Sequence, residues 1–160
     1  MIKILFICYG NICRSPMAEL IMKDMIKKQG LENEFHIQSA ATSTEEIWGG
    51  RGNPIYSPAR AELTKRGIPF DRNKRAVQAT KADYDKYDYL ICMESMNVRD
   101  LMRIIGFDKE HKVKKLLDFA GSGGDIADPW YSGDFTATYE DITKGCLAII
   151  EQFKEGKLCR

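Results

Sequence analysis

Histidine is scarce in this chain: His36 and His111 are the only two among 160 residues. A hydrolase that works through a bound metal gathers histidines and carboxylates as ligands. Two histidines 75 positions apart, without a supporting motif, do not supply such a set. Long apolar runs are missing as well. None approaches the roughly 20 residues that a membrane span requires. The stretch Ile4–Cys8 is too short for the core of a secretory signal, and Asn11, Arg14 and Ser15 follow at once. No sign of charge dominates: 24 Lys and Arg against 23 Asp and Glu leave a net charge of +1. No long-range field therefore argues for nucleic acid or an anionic membrane as partner, and the basic runs Arg72–Arg75 and Lys109–Lys115 read as solvated surface. The cysteines Cys8, Cys13, Cys92, Cys146 and Cys159 are odd in number and irregularly spaced. They make neither a disulfide framework nor a zinc motif. The expectation is a cytoplasmic monomer with reduced thiols.

What is present reads as one α/β domain over 1–160, a length sufficient to bury a core. Ile2–Cys8 is a continuous apolar run with β-branched and aromatic residues, the pattern of a strand covered on both faces. Gly10 and Asn11 break it. Ser15-Pro16 then opens a helix, with Ser15 as cap, Glu19 in the first turn, and Met17, Leu20, Ile21, Met25 and Ile26 as its apolar stripe until Gly30. Strands are expected at Phe35–Ser39, Tyr89–Met93 and Val113–Leu117. Helices are expected at Ala59–Arg66, Asn97–Ile105 and Tyr139–Phe153, with an amphipathic turn near Lys81–Lys86. Thr42–Pro58 and the Gly-rich Ala120–Thr136 read as long loops, and such loops inside a compact domain tend to be functional. Alternating strands and helices predict a four-stranded parallel sheet flanked by helices in three layers.

The segment Cys8-Tyr9-Gly10-Asn11-Ile12-Cys13-Arg14-Ser15 sets Cys, five residues, then Arg between a strand end and a helix start. A loop that wraps into a helix N-terminus aims several backbone N–H groups at one point and makes an anion site. Gly10 permits close backbone approach or a positive φ, and Asn11 tolerates the left-handed region. Arg14 adds a planar fork that matches two phosphate oxygens, where lysine would be a point charge. The same positive surroundings favour a thiolate at Cys8, a nucleophile set for in-line attack on a bound phosphate. The plain alternative, a buried strand cysteine and a surface arginine, ignores the strand, the Gly-Asn loop and the Ser-Pro helix start standing in register.

These residues resemble the signature of the low-molecular-weight protein tyrosine phosphatases, Cys-x-Gly-Asn-Ile-Cys-Arg-Ser-Pro, from Cys8 to Pro16. Further stretches resemble the family in its own order: Ser39-Ala40-Ala41-Thr42, Tyr87-Asp88-Tyr89 leading to Cys92-Met93, Asn97 with Arg99-Asp100-Leu101, and Asp128-Pro129-Trp130-Tyr131. The resemblance implies hydrolysis of phosphotyrosine in proteins through a phosphocysteine, without cofactor or metal, with inorganic phosphate or vanadate as inhibitor. Cys8 would be the nucleophile and Arg14 the phosphate clamp. Expelling a phenolate needs a proton donor, and the intermediate then needs activated water. An Asp before Pro is by itself more often a turn residue, but the family's general acid stands in this motif, which points to Asp128, with Asp125 as fallback. Trp130 and Tyr131 would wall one side of the cleft and Trp48 the other, stacking on the phenyl ring. By the same resemblance Asn11 would hold the loop through Ser15 and Ser39, Ser15 would stabilise the thiolate, and Cys13 would form a reversible disulfide with Cys8. One departure stands out: Lys74 occupies the register of a histidine that many family members carry. His36 and His111 do not fit that place, and Cys92, Cys146 and Cys159 read as structural.

Rival readings are weaker. A nucleotide-binding P-loop needs Gly-Lys-Ser/Thr, which does not follow this strand. Arsenate reductases share the opening but depend on further resolving cysteines, and Cys92 has no suitable partner nearby in sequence. Arginine phosphatases of the family typically carry threonine where this chain has Ile12, so Ile12 favours tyrosine. The non-enzymatic alternatives are a thiol switch built on Cys8 and Cys13, or a phosphate-binding module without turnover.

Overall fold

The apolar run at the N-terminus forms the central strand of the sheet in a computed structural model that describes residues 1–158. Strand β1 (Ile2–Cys8) pairs in parallel with β2 (Phe35–Ala41) on one side. On the other side it pairs with β5 (Tyr89–Cys92), so that Ile4 lies between Ile37 and Tyr89. β6 (Val113–Lys115) completes the parallel order β2-β1-β5-β6. Side chains alternate along a strand, and here both sets are covered. Ile2, Ile4, Phe6 and Cys8 pack with helices α1 (Arg14–Lys28), α2 (Ser57–Lys65) and α6 (Phe135–Lys154). Leu5 and Ile7 pack with Leu90 and Cys92 of β5 against Leu101 and Ile105 of α4 (Ser95–Ile105). Burying a side chain such as Ile4 or Phe6 contributes on the order of 1.5–3 kcal/mol. Charge on either face of β1 would therefore be costly, and its one exposed member is Lys3, near the start. No helix among the described residues is long and apolar enough to cross a membrane.

Element boundaries depart from the sequence expectation in instructive places. α1 begins at Arg14, two residues before the expected Pro16, because the Cys13 carbonyl already accepts from Met17 N–H at 3.0 Å. Ser15 is thus not a cap but lies inside the helix, its hydroxyl engaged elsewhere, and Glu19 falls beyond the first turn. The 42–58 loop contains a small antiparallel hairpin of β3 (Ile47–Trp48) and β4 (Arg51–Gly52). Gly49 and Gly50 make its turn, both at positive φ (57° and 76°), where residues with a Cβ are strained. A Cβ on Gly52 would come within 1.9 Å of the Ala76 carbonyl oxygen, so glycine is what lets the hairpin lie on the 75–76 backbone. The strand expected to reach Leu117 ends at Lys115 and turns into a 3-10 segment, Leu116–Asp118. The Lys81–Lys86 turn holds the one-turn helix α3 (Asp83–Lys86), and the Gly-rich loop holds α5 (Pro129–Ser132). α6 starts at Phe135, before the expected Tyr139, because the Asp134 side chain caps it by accepting from Ala137 N–H.

Strand β1 sits where connections leave to opposite sides, toward β2 and toward β5. In open parallel sheets such a point leaves a crevice beyond the carboxyl ends of the strands. Cys8 ends β1 at that crevice.

Candidate active site

Residues 8–14 wrap around a cup because their carbonyls are tied outward. Cys8 C=O accepts from Thr42 N–H (2.9 Å), Tyr9 C=O from Ser43 N–H (3.1 Å) and Ser43 Oγ (2.8 Å), and Ile12 C=O from Tyr56 N–H (2.9 Å). In a trans peptide the C=O of one residue opposes the N–H of the next, so the amides of Tyr9, Gly10 and Cys13 turn to the concave side. The left-handed residue is Asn11 (φ 60°). Gly10 instead allows close approach: a Cβ there would stand 3.2 Å from Glu46 Cγ.

Asn11 is held by all of its side-chain polar atoms. Its Oδ1 accepts from Val77 N–H (3.1 Å), and its Nδ2 donates to Ser15 Oγ (2.7 Å) and Ser39 Oγ (3.0 Å). Ser39 in turn donates to Glu19 Oε1 at 2.6 Å, which leaves its lone pairs for Asn11. Ser15 Oγ accepts from Asn11 and lies 3.0 Å from Cys8 Sγ, where its hydroxyl proton is free to be given to the sulfur. Asn11 N–H donates to the same sulfur at 3.2 Å. The chain of bonds thus has a direction, and its far end is an ion pair. Glu19, buried, meets Lys74 Nζ at 2.7 Å and Lys23 Nζ at 2.7 Å. Burial pushes the Glu19 carboxyl up, but the Lys74 charge and the hydrogen bonds from Lys23, Lys74 and Ser39 outweigh it and hold it below the usual carboxylate range. Lys74, at the register where the resemblance implies a histidine, therefore takes a place in the loop's support.

A carboxyl depressed on folding contributes stability above its ordinary titration range, and that contribution is lost as pH falls through the depressed folded value. Lys74→Met removes a large part of it. At neutral pH the substitution is expected to cost about 1–3 kcal/mol, since Lys23 still pairs with the buried carboxylate. The cost shrinks in acid, where Glu19 is protonated in both proteins. Urea denaturation at neutral and acidic pH measures both, and a loss independent of pH would contradict the pairing.

Arg14 is buried at the start of α1, aimed across the cup. Its Nη1 donates to Glu94 Oε2 (2.5 Å) and to the Ile126 carbonyl (2.9 Å), and its Nη2 faces Asp128 Oδ2 at 3.4 Å. Glu94 stands at the start of α4, its backbone C=O accepting from Asn97 N–H (3.1 Å), while Asn97 Oδ1 accepts from the N–H groups of Met93 and Glu94. Asp128 caps α5, its Oδ1 accepting from Trp130 N–H at 3.0 Å. Both carboxylates thus belong to residues at helix starts, and that of Asp128 is held there by its cap bond as it faces the guanidinium.

One cleft is lined by residues 8–14 together with Glu45, Glu46, Asp128, Trp130 and Tyr131. It brings together Cys8, Tyr9, Gly10, Asn11, Ile12, Cys13, Arg14, Asp128, Trp130 and Tyr131, with Ser15 and Ser39 directly behind the loop. Trp130 packs on Tyr56, ring centroids 4.6 Å apart, and Tyr131 is 86% exposed at the mouth. Trp48 is a correction. It is 73% exposed on the hairpin and does not line the cleft, to which the 42–58 segment instead contributes Glu45 and Glu46. The fallback acid Asp125 is committed to Ser95 and Lys115 and is likewise absent from the lining. Burial pushes the Cys13, Cys92 and Cys146 thiols up, most simply leaving them protonated, with the nearby Cys8 adding to the effect at Cys13 and Cys92. Cys159 lies outside the described residues.

Glu94 was not singled out in the sequence, Glu19 was read only as a helix-start residue, and Asn97 only as part of a stretch resembling the family. The Glu94-x-x-Asn97 spacing before an apolar stripe is a capping signal, and Glu19 lies one helical turn from Ser15 among buried positions. Neither pattern alone points to a catalytic loop.

Comparisons with known proteins point to one family. A family model described as "Low molecular weight phosphotyrosine protein phosphatase" matches residues 3–158. The chain is 36% identical over 159 residues to the low molecular weight protein-tyrosine-phosphatase YfkJ of Bacillus subtilis, covering 98% of this chain and 99% of that one. It is 38% identical over 157 residues to a low molecular weight phosphotyrosine protein phosphatase of Gallus gallus, covering 94% of each. The crystal structure of YfkJ from Bacillus subtilis superimposes with a TM-score of 0.90 over 99% of this chain and 98% of that one.

Proposed function

The chain belongs to the low molecular weight phosphotyrosine protein phosphatase family, and from that premise we propose that it hydrolyses phosphotyrosine in proteins through a phosphocysteine, with Cys8 as nucleophile, Arg14 as phosphate clamp and Asp128 as general acid and base. The observation that carries this reading is one cleft lined by Cys8, Arg14 and Asp128, with the sulfur held by Asn11 N–H and Ser15 Oγ.

In the first step the inward amides and the Arg14 fork hold the non-bridging phosphate oxygens, and the Cys8 thiolate attacks phosphorus. The P–S bond forms as the bond to the tyrosine oxygen breaks, and Asp128 gives that oxygen its proton. In the second step the Asp128 carboxylate takes a proton from water, the water oxygen bonds to phosphorus, and the P–S bond breaks. The departing sulfur is again an anion, and the Ser15 hydroxyl, polarised through Asn11, Ser39 and Glu19, stands ready to solvate it. Trp130 and Tyr131 offer aromatic surface to the phenyl ring. Inorganic phosphate and vanadate, which fill the same cup, act as competitive inhibitors.

The test is turnover of matched phosphotyrosine, phosphoserine and phosphoarginine peptides, with para-nitrophenyl phosphate as a small reference. Phosphotyrosine is expected to lead in kcat/KM by at least about 100-fold, a difference worth roughly 2.7 kcal/mol. A lead for phosphoarginine or phosphoserine would overturn the substrate assignment.

A further inference from the structure

The cleft does not end at Tyr9 and Glu45. These two residues also line a second, shallower groove on the outer side of the loop, together with Ser43, Ile47, Trp48 and Gln78. Trp48, displaced from the cleft, presents its indole to this groove at 73% exposure. Its position has a rigid base, since Gly52 lies against Ala76, Asn53 C=O accepts from Ala76 N–H (2.9 Å), and Pro54 bridges to Arg75.

The charge on the shared rim needs an explanation. Glu45 is exposed, with only a long contact from Tyr9 Oη (3.4 Å), and Glu46 accepts from Asn53 Nδ2 (2.7 Å). Among the described residues no lysine or arginine forms an ion pair with either carboxylate. Two uncompensated carboxylates beside a site for a phosphoryl group of charge near −2 repel the ligand that the cup attracts. A cation carried by the substrate, placed next to its phosphotyrosine, removes that penalty. The exposed indole adds a face on which a guanidinium stacks, which an ammonium does less well.

The geometry points to a second substrate subsite, formed by Trp48 and Glu45, that takes an arginine flanking the phosphotyrosine. Consecutive Cα atoms are about 3.8 Å apart, and the groove adjoins the cleft through Tyr9, so the arginine lies within one or two residues of the phosphotyrosine. This inference rests on the phosphatase reading above and adds sequence preference to it.

The experiment compares phosphotyrosine peptides that differ only at the positions one and two residues to either side, carrying arginine, its uncharged isostere citrulline, or glutamate. Arginine at the favoured position is expected to raise kcat/KM about 5- to 10-fold over citrulline, mainly through KM, with glutamate lowest. Trp48→Ala and Glu45→Gln each bring the arginine-to-citrulline ratio toward one, and added salt erodes the part due to Glu45. A flat ratio in the unsubstituted protein, or a ratio that survives both substitutions, overturns the subsite. Para-nitrophenyl phosphate has no flanking residues and reports the cleft separately. Its turnover alongside a flat peptide ratio overturns the subsite alone, whereas failure of it and of every peptide overturns the phosphatase reading and the subsite with it.

Discussion

Replacing Cys8 by serine is expected to abolish turnover of para-nitrophenyl phosphate, a loss on the order of 10⁵-fold or more, while the folded protein still binds vanadate. The reason is chemical. A thiolate is available as nucleophile and as leaving group, whereas a serine hydroxyl in the same cup has donors around it and no base. Asn11 N–H and Ser15 Oγ both reach the sulfur, and neither removes a proton from a serine. The binding groups are untouched: Arg14 keeps Glu94 and the Ile126 carbonyl, and the loop amides keep their orientation because the outward carbonyl bonds do not involve the Cys8 side chain. Rapid acid quench of the unsubstituted protein should also capture a phosphate adduct on the peptide containing Cys8, absent from the serine variant. Turnover within about 100-fold of the original rate in Cys8→Ser would show that another group attacks phosphorus.

Asp128→Ala is expected to lower kcat by about 10²- to 10⁴-fold, the range for losing a positioned acid–base group. The size should depend on the leaving group. A phosphotyrosine peptide, whose phenolate is basic, needs the proton and suffers most. Nitrophenolate departs readily, so para-nitrophenyl phosphate suffers less in the first step and the phosphocysteine accumulates, visible as a burst of nitrophenol followed by slow turnover. Asp128 also caps α5 through Trp130 N–H, and losing a cap costs about 1 kcal/mol. Asp128→Asn keeps an acceptor for that bond while removing the proton chemistry and the charge that faces Arg14. Equal defects in the alanine and asparagine variants attribute the loss to proton transfer. Recovery of activity in Asp128→Asn would assign Asp128 to loop geometry instead.

Much of this was legible locally. A run of seven residues, six apolar and one lysine, reads as a covered strand, and β1 is Ile2–Cys8 as expected. The Cys8–Arg14 spacing and the left-handed Asn11 belong to one turn of chain, whereas the bonds from Asn11 to Ser15 and Ser39 came from the family resemblance, and the second spans 28 positions to a neighbouring strand. Ser15 was misread as a cap because Ser-Pro is a strong local helix start. The fold places that hydroxyl against the sulfur instead, and the Cys13 carbonyl begins the helix two residues sooner.

Trp48 shows where local reading failed. An aromatic in a functional loop is a natural guess for a cleft wall, but Gly49-Gly50 folds the segment back on itself and turns the indole outward. The two glycines were visible as a hairpin signal. The side on which the hairpin lies was not, because it depends on Gly52 meeting Ala76 across the chain.

By itself the sequence determined the alternation of covered strands and helices and the tight Cys8–Arg14 loop between the first strand and the first helix, because periodicity and turn chemistry operate over a few neighbouring residues. The tertiary structure decided which distant carboxylates serve that loop. Glu94 and Asp128 reach Arg14 across 80 and 114 positions of chain, and Glu19 meets Lys74 behind Ser39. Nothing short-range encodes such partnerships. They arise because a parallel sheet gathers the carboxyl ends of its strands at one crevice, and a charge buried there takes whichever opposite charge the packing brings within reach.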